Sequence, residues 1–279
     1  MIKSLNDCVK LNNGVEMHSF GLGVFQVDDG QEVMDAIKYA TDAGYRLVDT
    51  AAIYNNEKGV GTAIKQCGLP REKLFITSKV WNAFQGYDST LKAFENTMSD
   101  LQLTYLDLYL IHWPLPKNKN YIATWKAMET LYKEGRIRAI GVSNFEPEWI
   151  QDIINECEVV PMVNQVEFHP YLQQKELHEY CKANGVQLQA WAPLAKGKIF
   201  EDEKLIKLAG KYGKSAGQFV LRWQLQCGVI TIPKSIKQDR IISNADIFDF
   251  EIDQQDMKAM ESFDIGTRIG PNPHDFYVV

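Results

Sequence analysis

Two kinds of pattern alternate along the chain. Short apolar runs rich in Val, Ile, Leu and Tyr recur, and each is followed by a polar turn and then a stretch whose apolar positions have helical spacing. The runs are Tyr45 to Val48, Leu74 to Thr77, Leu106 to Ile111, Ile137 to Val142, Met162 to Val166, Val186 to Ala190 and Val229 to Ile232. Phe20 to Gly23 is a weaker first member, which makes eight. Helices are predicted over Gln31 to Ala43, Thr90 to Leu101, Tyr121 to Glu134, Pro147 to Glu156 and Gln174 to Ala183. Strand-helix alternation predicts parallel pairing, because a right-handed crossover helix is how parallel neighbours are joined. Eight such units in 279 residues fit an α/β protein built as a single (β/α)8 TIM barrel, one domain over residues 1–279. A doubly wound sheet would use only about five or six strands.

Two pieces lie outside the repeat. Asp7 to Met17, with Asn12-Asn13-Gly14 as its turn, predicts an N-terminal β-hairpin able to plug the barrel bottom. Asp253 to Phe263 predicts an extra C-terminal helix, and the tail from Gly266 to Val279 has no periodicity and reads as a loop.

Composition narrows the function classes. Hydrophobic residues at 45% and charged residues at 24% exclude a disordered or low-complexity chain. The net charge of −6 and the lack of a basic block argue against nucleic acid or an anionic membrane as partner. No run approaches the ~20 apolar residues of a bilayer span, and Met1 to Asp7 carries no basic-then-apolar leader. The five cysteines, Cys8, Cys67, Cys157, Cys181 and Cys227, are scattered without CxxC spacing, as expected of reduced thiols in a cytoplasmic protein.

In a barrel of this kind chemistry belongs at the C-terminal ends of the strands. The residues just after the apolar runs are unusually polar: Asp49 with Tyr54 in the loop beyond it, Lys79, His112 with Trp113, Ser143 with Asn144, Gln165 with Glu167, Trp191, and Lys234 with Ser235. Taken singly, each has a bland reading. Asp49 can cap a loop, Lys79 can be a solvated strand end, and a histidine at a strand end is usually hydrogen-bonded structure. Four titratable groups converging from three consecutive strands are harder to dismiss, since buried charges need partners and an Asp beside a Lys supplies one. A phenol is a weak acid near neutrality, and an adjacent ammonium is expected to lower its pKa by favouring the phenolate. Asp49 would hold Lys79 charged, and His112 would bond a substrate oxygen. Such a site protonates an oxygen on which negative charge develops, which suits carbonyl reduction by hydride from a cofactor.

The motifs resemble those of the aldo-keto reductase family. They are Asp49-Thr-Ala-Ala-Ile-Tyr54 with Asn56-Glu57 and Gly59-Val-Gly61, Leu106 to Pro114, Gly141-Val-Ser-Asn-Phe145, Asn164-Gln-Val-Glu167 with His169-Pro170, and Ile232-Pro-Lys-Ser235. They span essentially the whole chain in order and are most like the short bacterial members that reduce glyoxal and methylglyoxal or 2,5-diketo-D-gluconate. The resemblance implies the barrel fold and Tyr54 as general acid, with Asp49, Lys79 and His112 completing a tetrad. It implies NADPH/NADP+ as cofactor. Ser143, Asn144 and Gln165 would hold the carboxamide, Trp191 would stack on the nicotinamide, and Gly23 and Leu194 would line the site. Lys234, Ser235, Arg240 and Asn244 match the adenosine 2′-phosphate end, and a guanidinium with an ammonium and a hydroxyl suits a phosphate. Ser243 departs from the Glu of many relatives, which implies weaker contacts on the adenine side. Phe25, Trp81 and Trp113, with Tyr54 and His112, would wall a pocket for a small carbonyl substrate. The brief loop Trp113 to Asn120 and the short tail imply an open mouth, and the family default is a monomer.

Several motifs are decoys. Gly210 to Ser215 ends like a P-loop, but Leu208 stands where the first Gly is required and the segment is expected inside helical periodicity. Gly59-Val-Gly61 lacks a third Gly at Ile64, so no Rossmann turn is expected. His169 and His178 lack zinc-ligand spacing, so no catalytic metal is expected. Two further functions share the fold in this reading: a cofactor-sensing subunit, which would carry a partner-binding extension, and a structural protein that binds cofactor without turnover.

Overall fold

The computed structural model describes residues 2–278. It opens with an antiparallel hairpin of β1 (Cys8–Lys10) and β2 (Glu16–His18), turned at Asn12 to Gly14, where Gly14 takes a φ of 88°. Then follow β3 (Gly21–Gly23), α1 (Gln31–Asp42), β4 (Leu47–Asp49), α2 (Glu57–Gln66), β5 (Phe75–Val80), α3 (Tyr87–Leu101), β6 (Leu106–Ile111) and α4 (Asn120–Lys133). The second half holds β7 (Ile137–Ser143), α5 (Pro147–Glu156), β8 (Val163–Glu167), α6 (Lys175–Ala183), β9 (Gln187–Trp191), α7 (Glu203–Gly210), α8 (Ala216–Gln226), β10 (Ile230–Thr231) and α9 (Gln238–Ala245). The extra helix α10 (Gln254–Met260) comes last.

Strands β3 to β10 form one sheet of eight parallel strands in sequence order. A bridge from Phe20 to Thr231, with the Thr231 amide donating to Ser19 O at 3.1 Å, brings the last strand to the first and makes the TIM barrel expected from the alternation. All six residues of β6 are buried, as a strand covered on both faces requires, and its sequence accordingly reads as a nearly continuous apolar run. The surrounding helices bury one stripe each. In α5, for example, Pro147 starts the helix and Trp149, Ile150 and Ile153 face inward.

The two ends of the barrel differ. At the N-terminal end the hairpin seals the bottom: Met17 is fully buried, Asn12 donates to Pro161 O and Asn13 to Arg138 O. Beside it the buried Asp107 pairs with Arg71 and Arg138, each at 2.6 Å, and accepts the Ile76 amide. The C-terminal ends of the strands are left for the polar residues of the site. Among the described residues, no helix is long and apolar enough to cross a membrane.

Two sequence expectations shift. Helix α3 begins at Tyr87 rather than Thr90, because Gly86 (φ 121°) turns the chain and the first turn is polar. Two helices, α7 and α8, join β9 to β10. Of the segment Gly210 to Ser215, Gly210 ends α7 and the rest is the turn to α8 rather than helix interior, with Ser215 and Gln218 forming a capping box for α8.

Candidate active site

Four titratable side chains meet on the C-terminal rim. Asp49 ends β4, Lys79 lies one residue before the end of β5, and His112 directly follows β6. Tyr54 is the last residue of a short 3-10 turn, Ala52–Tyr54, closed by Asn55 in the left-handed region at φ 55°. Alternation along β5 turns Ser78 outward to the helices and Lys79 into the barrel. There Lys79, fully buried, gives its Nζ hydrogens to Asp49 Oδ1 at 2.6 Å, to the Thr50 carbonyl at 2.8 Å and to the Tyr54 hydroxyl at 3.4 Å. The other Asp49 oxygen accepts from Gln165 Nε2 at 2.6 Å, and the same amide donates to Gln189 at 2.9 Å.

Burial and charge set the protonation states. Burial alone would pull the Lys79 ammonium down, but Asp49 and Tyr54 hold it above its usual value. Burial pushes the Tyr54 phenol up, and the Lys79 ammonium recovers only part of that rise. The expected net lowering of the phenol is therefore reversed, because desolvating a phenolate outweighs one ammonium at 3.4 Å. Tyr54 is a phenol, ready to donate, at neutral pH. Burial, and then the Lys79 charge, drive His112 well below the ordinary histidine range, so its ring is neutral. Its Nδ1 is buried with no partner among the described residues, and its ring lies 5.7 Å from that of Tyr54.

Around this group the remaining sequence candidates divide into three sets. Ser143, Asn144 and Gln165 are buried at the ends of β7 and β8, linked by Ser143 Oγ donating to the Gln165 carbonyl at 2.7 Å and Asn144 Nδ2 to Ser143 Oγ at 3.1 Å. Asn144, at φ 63°, accepts from Trp191 Nε1 at 2.8 Å through its Oδ1, so the indole belongs to the same network. Gly23 pairs in register with Asp49, and an added Cβ there would meet the Ile232 carbonyl at 3.0 Å; Leu194 lies half-buried in the loop after β9. The second set follows β10: Lys234 and Arg240 are exposed, Ser235 is buried and accepts the Lys237 amide, and Asn244 and Ser243 sit in α9, whose first turns carry Arg240. Two cations, a hydroxyl and a helix start form a donor set suited to a phosphate.

The third set is aromatic. Phe25, half exposed, stands with its ring 5.0 Å from Tyr54, and Trp81 is 5.2 Å edge-on to His112. Trp113 is not open to solvent as the short loop and tail imply. Phe276 of the tail packs on it at 4.2 Å and approaches Trp81 at 6.3 Å, and the buried Asn82 donates to the Val278 carbonyl at 2.7 Å. The tail thus folds over the aromatic wall and narrows the mouth; Val279 lies outside the described residues. Asn82 was missed from the sequence, which left open whether the tail with Phe276 and Tyr277 folds over the pocket. The only local signal was a Phe-Tyr pair in a segment otherwise poor in apolar residues.

Comparison with known proteins agrees with this geometry. The model of the "Aldo/keto reductase family" matches residues 19–265. The chain is 58% identical over 275 residues to a glyoxal reductase of Bacillus subtilis, covering 99% of both chains. It is 44% identical over 270 residues to the methylglyoxal reductase DkgA of Escherichia coli K12, covering 96% of this chain and 97% of that one. Among solved structures, a Gox0644 mutant in complex with NADPH superposes with a TM-score of 0.93 at 42% identity, covering 97% of this chain and 98% of that one.

Proposed function

This chain belongs to the aldo/keto reductase family, and from that premise we propose that it is an NADPH-dependent reductase of small aldehydes and ketones, with glyoxal- and methylglyoxal-type dicarbonyls foremost. The observation that carries the proposal is the buried Asp49–Lys79 pair whose ammonium also reaches the Tyr54 hydroxyl. The cofactor fits the donor set: Lys234, Ser235 and Arg240 for a 2′-phosphate, Asn244 for the adenine end, Ser143, Asn144 and the free Gln165 oxygen for a carboxamide, and Trp191 for the nicotinamide face, with Gly23 and Leu194 beside it.

Bound NADPH supplies the hydride that reduces the carbonyl carbon. The substrate oxygen lies between the Tyr54 hydroxyl and His112. Tyr54 gives that oxygen its proton, so that carbonyl, hydride and proton together make the alcohol. Lys79 balances the phenolate that remains until solvent returns a proton, and Asp49 with Gln165 keeps Lys79 aimed. His112, neutral, donates one hydrogen bond without competing for the proton. Phe25, Trp81 and Trp113 exclude water from the carbonyl. One barrel domain, acting as a monomer, suffices for every step.

The test is NADPH oxidation by purified protein with methylglyoxal, an aromatic aldehyde and a diketo-sugar acid. Turnover of the small dicarbonyl is expected. Tyr54→Phe should abolish it while leaving NADPH affinity within about twofold, since the phenol meets the substrate oxygen rather than the cofactor. Substantial turnover by that variant refutes the acid assignment. Tight NADPH binding by the wild type without any turnover refutes the reductase reading in favour of a cofactor sensor.

A further inference from the structure

Glu167 is the last residue of β8, is fully buried, and takes no part in the chemistry described above. Its Oε1 accepts the Ile269 amide at 2.5 Å and lies 2.9 Å from His169 Nε2, while its Oε2 accepts the Gly270 amide at 3.1 Å. Burial alone would raise this carboxyl, but the His169 and amide hydrogen bonds hold it below the usual carboxylate range, so the clamp is ionic. The clamp fixes Gly270 against the indole of Trp191. An added Cβ at Gly270 would overlap the far edge of that ring and come within 3.2 Å of Glu167 Oε2. At its near edge the same ring is held by Nε1 donating to Asn144. Trp191 is thereby gripped at both ends, from β7 on one side and from the C-terminal tail on the other.

We propose that Glu167 is a positioning residue for the cofactor: by holding the Ile269–Gly270 backbone against Trp191 it pre-sets the ring that covers the nicotinamide, so the tail serves cofactor retention as well as the carbonyl pocket. The inference rests on the proposed reading of Trp191 as that ring. An indole already fixed in its stacking pose loses no rotamer freedom when the nicotinamide arrives, whereas a released one must be ordered at the expense of affinity. The chain continues from Gly270 to Phe276, whose ring packs on Trp113 and approaches Trp81, so the two ends of the tail can be perturbed separately.

The experiment measures NADPH dissociation constants, quenching of tryptophan fluorescence by NADPH, and the KM for methylglyoxal in the full chain. Glu167→Ala and Gly270→Ala are each expected to weaken NADPH about tenfold and to reduce the quench, one by releasing the clamp and the other by prising it open. Glu167→Gln keeps one acceptor oxygen and should recover most of the affinity. Phe276→Ala should raise the methylglyoxal KM and leave NADPH affinity unchanged. If NADPH affinity and quench stay within about twofold of wild type in Gly270→Ala and in Glu167→Ala, or if only the carbonyl KM moves, the inference is overturned. Should Glu167→Ala fail to fold, Gly270→Ala decides alone, because its site lies on the tail outside the barrel. A wild-type chain that does not bind NADPH overturns the underlying functional reading instead, and is seen before any variant is made.

Discussion

Glu57 provides the sharpest quantitative test of the structure. It opens α2, is buried outside the barrel wall behind Lys79, and accepts hydrogen bonds from Ser78 at 2.6 Å and Thr97 at 3.3 Å. Neither partner is a cation, and burial pushes its carboxyl from 4.5 to about 7. The unfolded chain therefore releases this proton first as pH rises. Between about 4.5 and 7 the folded state holds more protons than the unfolded one, so stability is complete in acid and falls by about 1.4 kcal/mol per pH unit across that window. The whole loss comes to about 3 kcal/mol and is complete above pH ~7. Glu57→Gln removes the titration but keeps the shape, with its oxygen accepting from Ser78 and its amide facing Thr97. In urea unfolding from pH 4.5 to 8.5, the variant-minus-wild-type stability should rise with pH by about 3 kcal/mol and then level off. Taking the difference cancels the other titrating groups. A difference that stays flat within ~0.5 kcal/mol, or that falls with pH, would refute the assignment of a buried, unpaired carboxyl.

Two further substitutions probe the cofactor end and the packing. Arg240→Ala should weaken NADPH by about 10- to 100-fold, the worth of a charged hydrogen bond to phosphate, while NADH changes by less than about threefold; equal losses in a binding titration would show that Arg240 does not read the 2′-phosphate. Gly61→Ala would drive a methyl into the Leu101 backbone where α2 crosses the end of α3, and should cost about 2–3 kcal/mol in denaturant unfolding. Gly210→Ala, which meets open space at the end of α7, is the matched control and should be neutral or stabilising by up to ~1 kcal/mol; similar losses in both would remove the packing explanation.

The barrel was legible because its strands are buried on both faces and so announce themselves as apolar runs, each ended by the polar residue that reaches the rim. Asp49, Lys79 and His112 were readable for that reason alone. Elements outside this rule were not. Helix α9 buries only Ile241, and α2 carries two glycines and a buried Glu57, so neither shows a clean apolar stripe. Strand β10 pairs over two residues only. The contacts of the tail were hidden for a different reason: Asn82 with Val278 and Glu167 with Ile269 join positions 196 and 102 residues apart, and such pairs leave no local period. The left-handed turns at Asn55 and Asn144 were hidden likewise, although Asn tolerates that region better than most residues.

Asp49 and Glu57 show how one strand gives two buried carboxyls different partners. Both depend on β5, Asp49 through Lys79 on the inner face and Glu57 through Ser78 on the outer. Burial raises both carboxyls, but at Asp49 the Lys79 ammonium and the Gln165 amide pull against that rise. Glu57 receives hydroxyls and rises to about 7, leaving it largely protonated on the acid side of neutrality. A second full anion behind the strand would compete with Asp49 and Tyr54 for the field of Lys79, which is the only ammonium within reach of the Tyr54 hydroxyl among the described residues. Burial of Glu57 with no cation bonded to it keeps that competition weak, so the ammonium acts on the phenol. The alternation of a six-residue strand thus determines which buried acid meets the ammonium as well as which side chain faces the barrel interior.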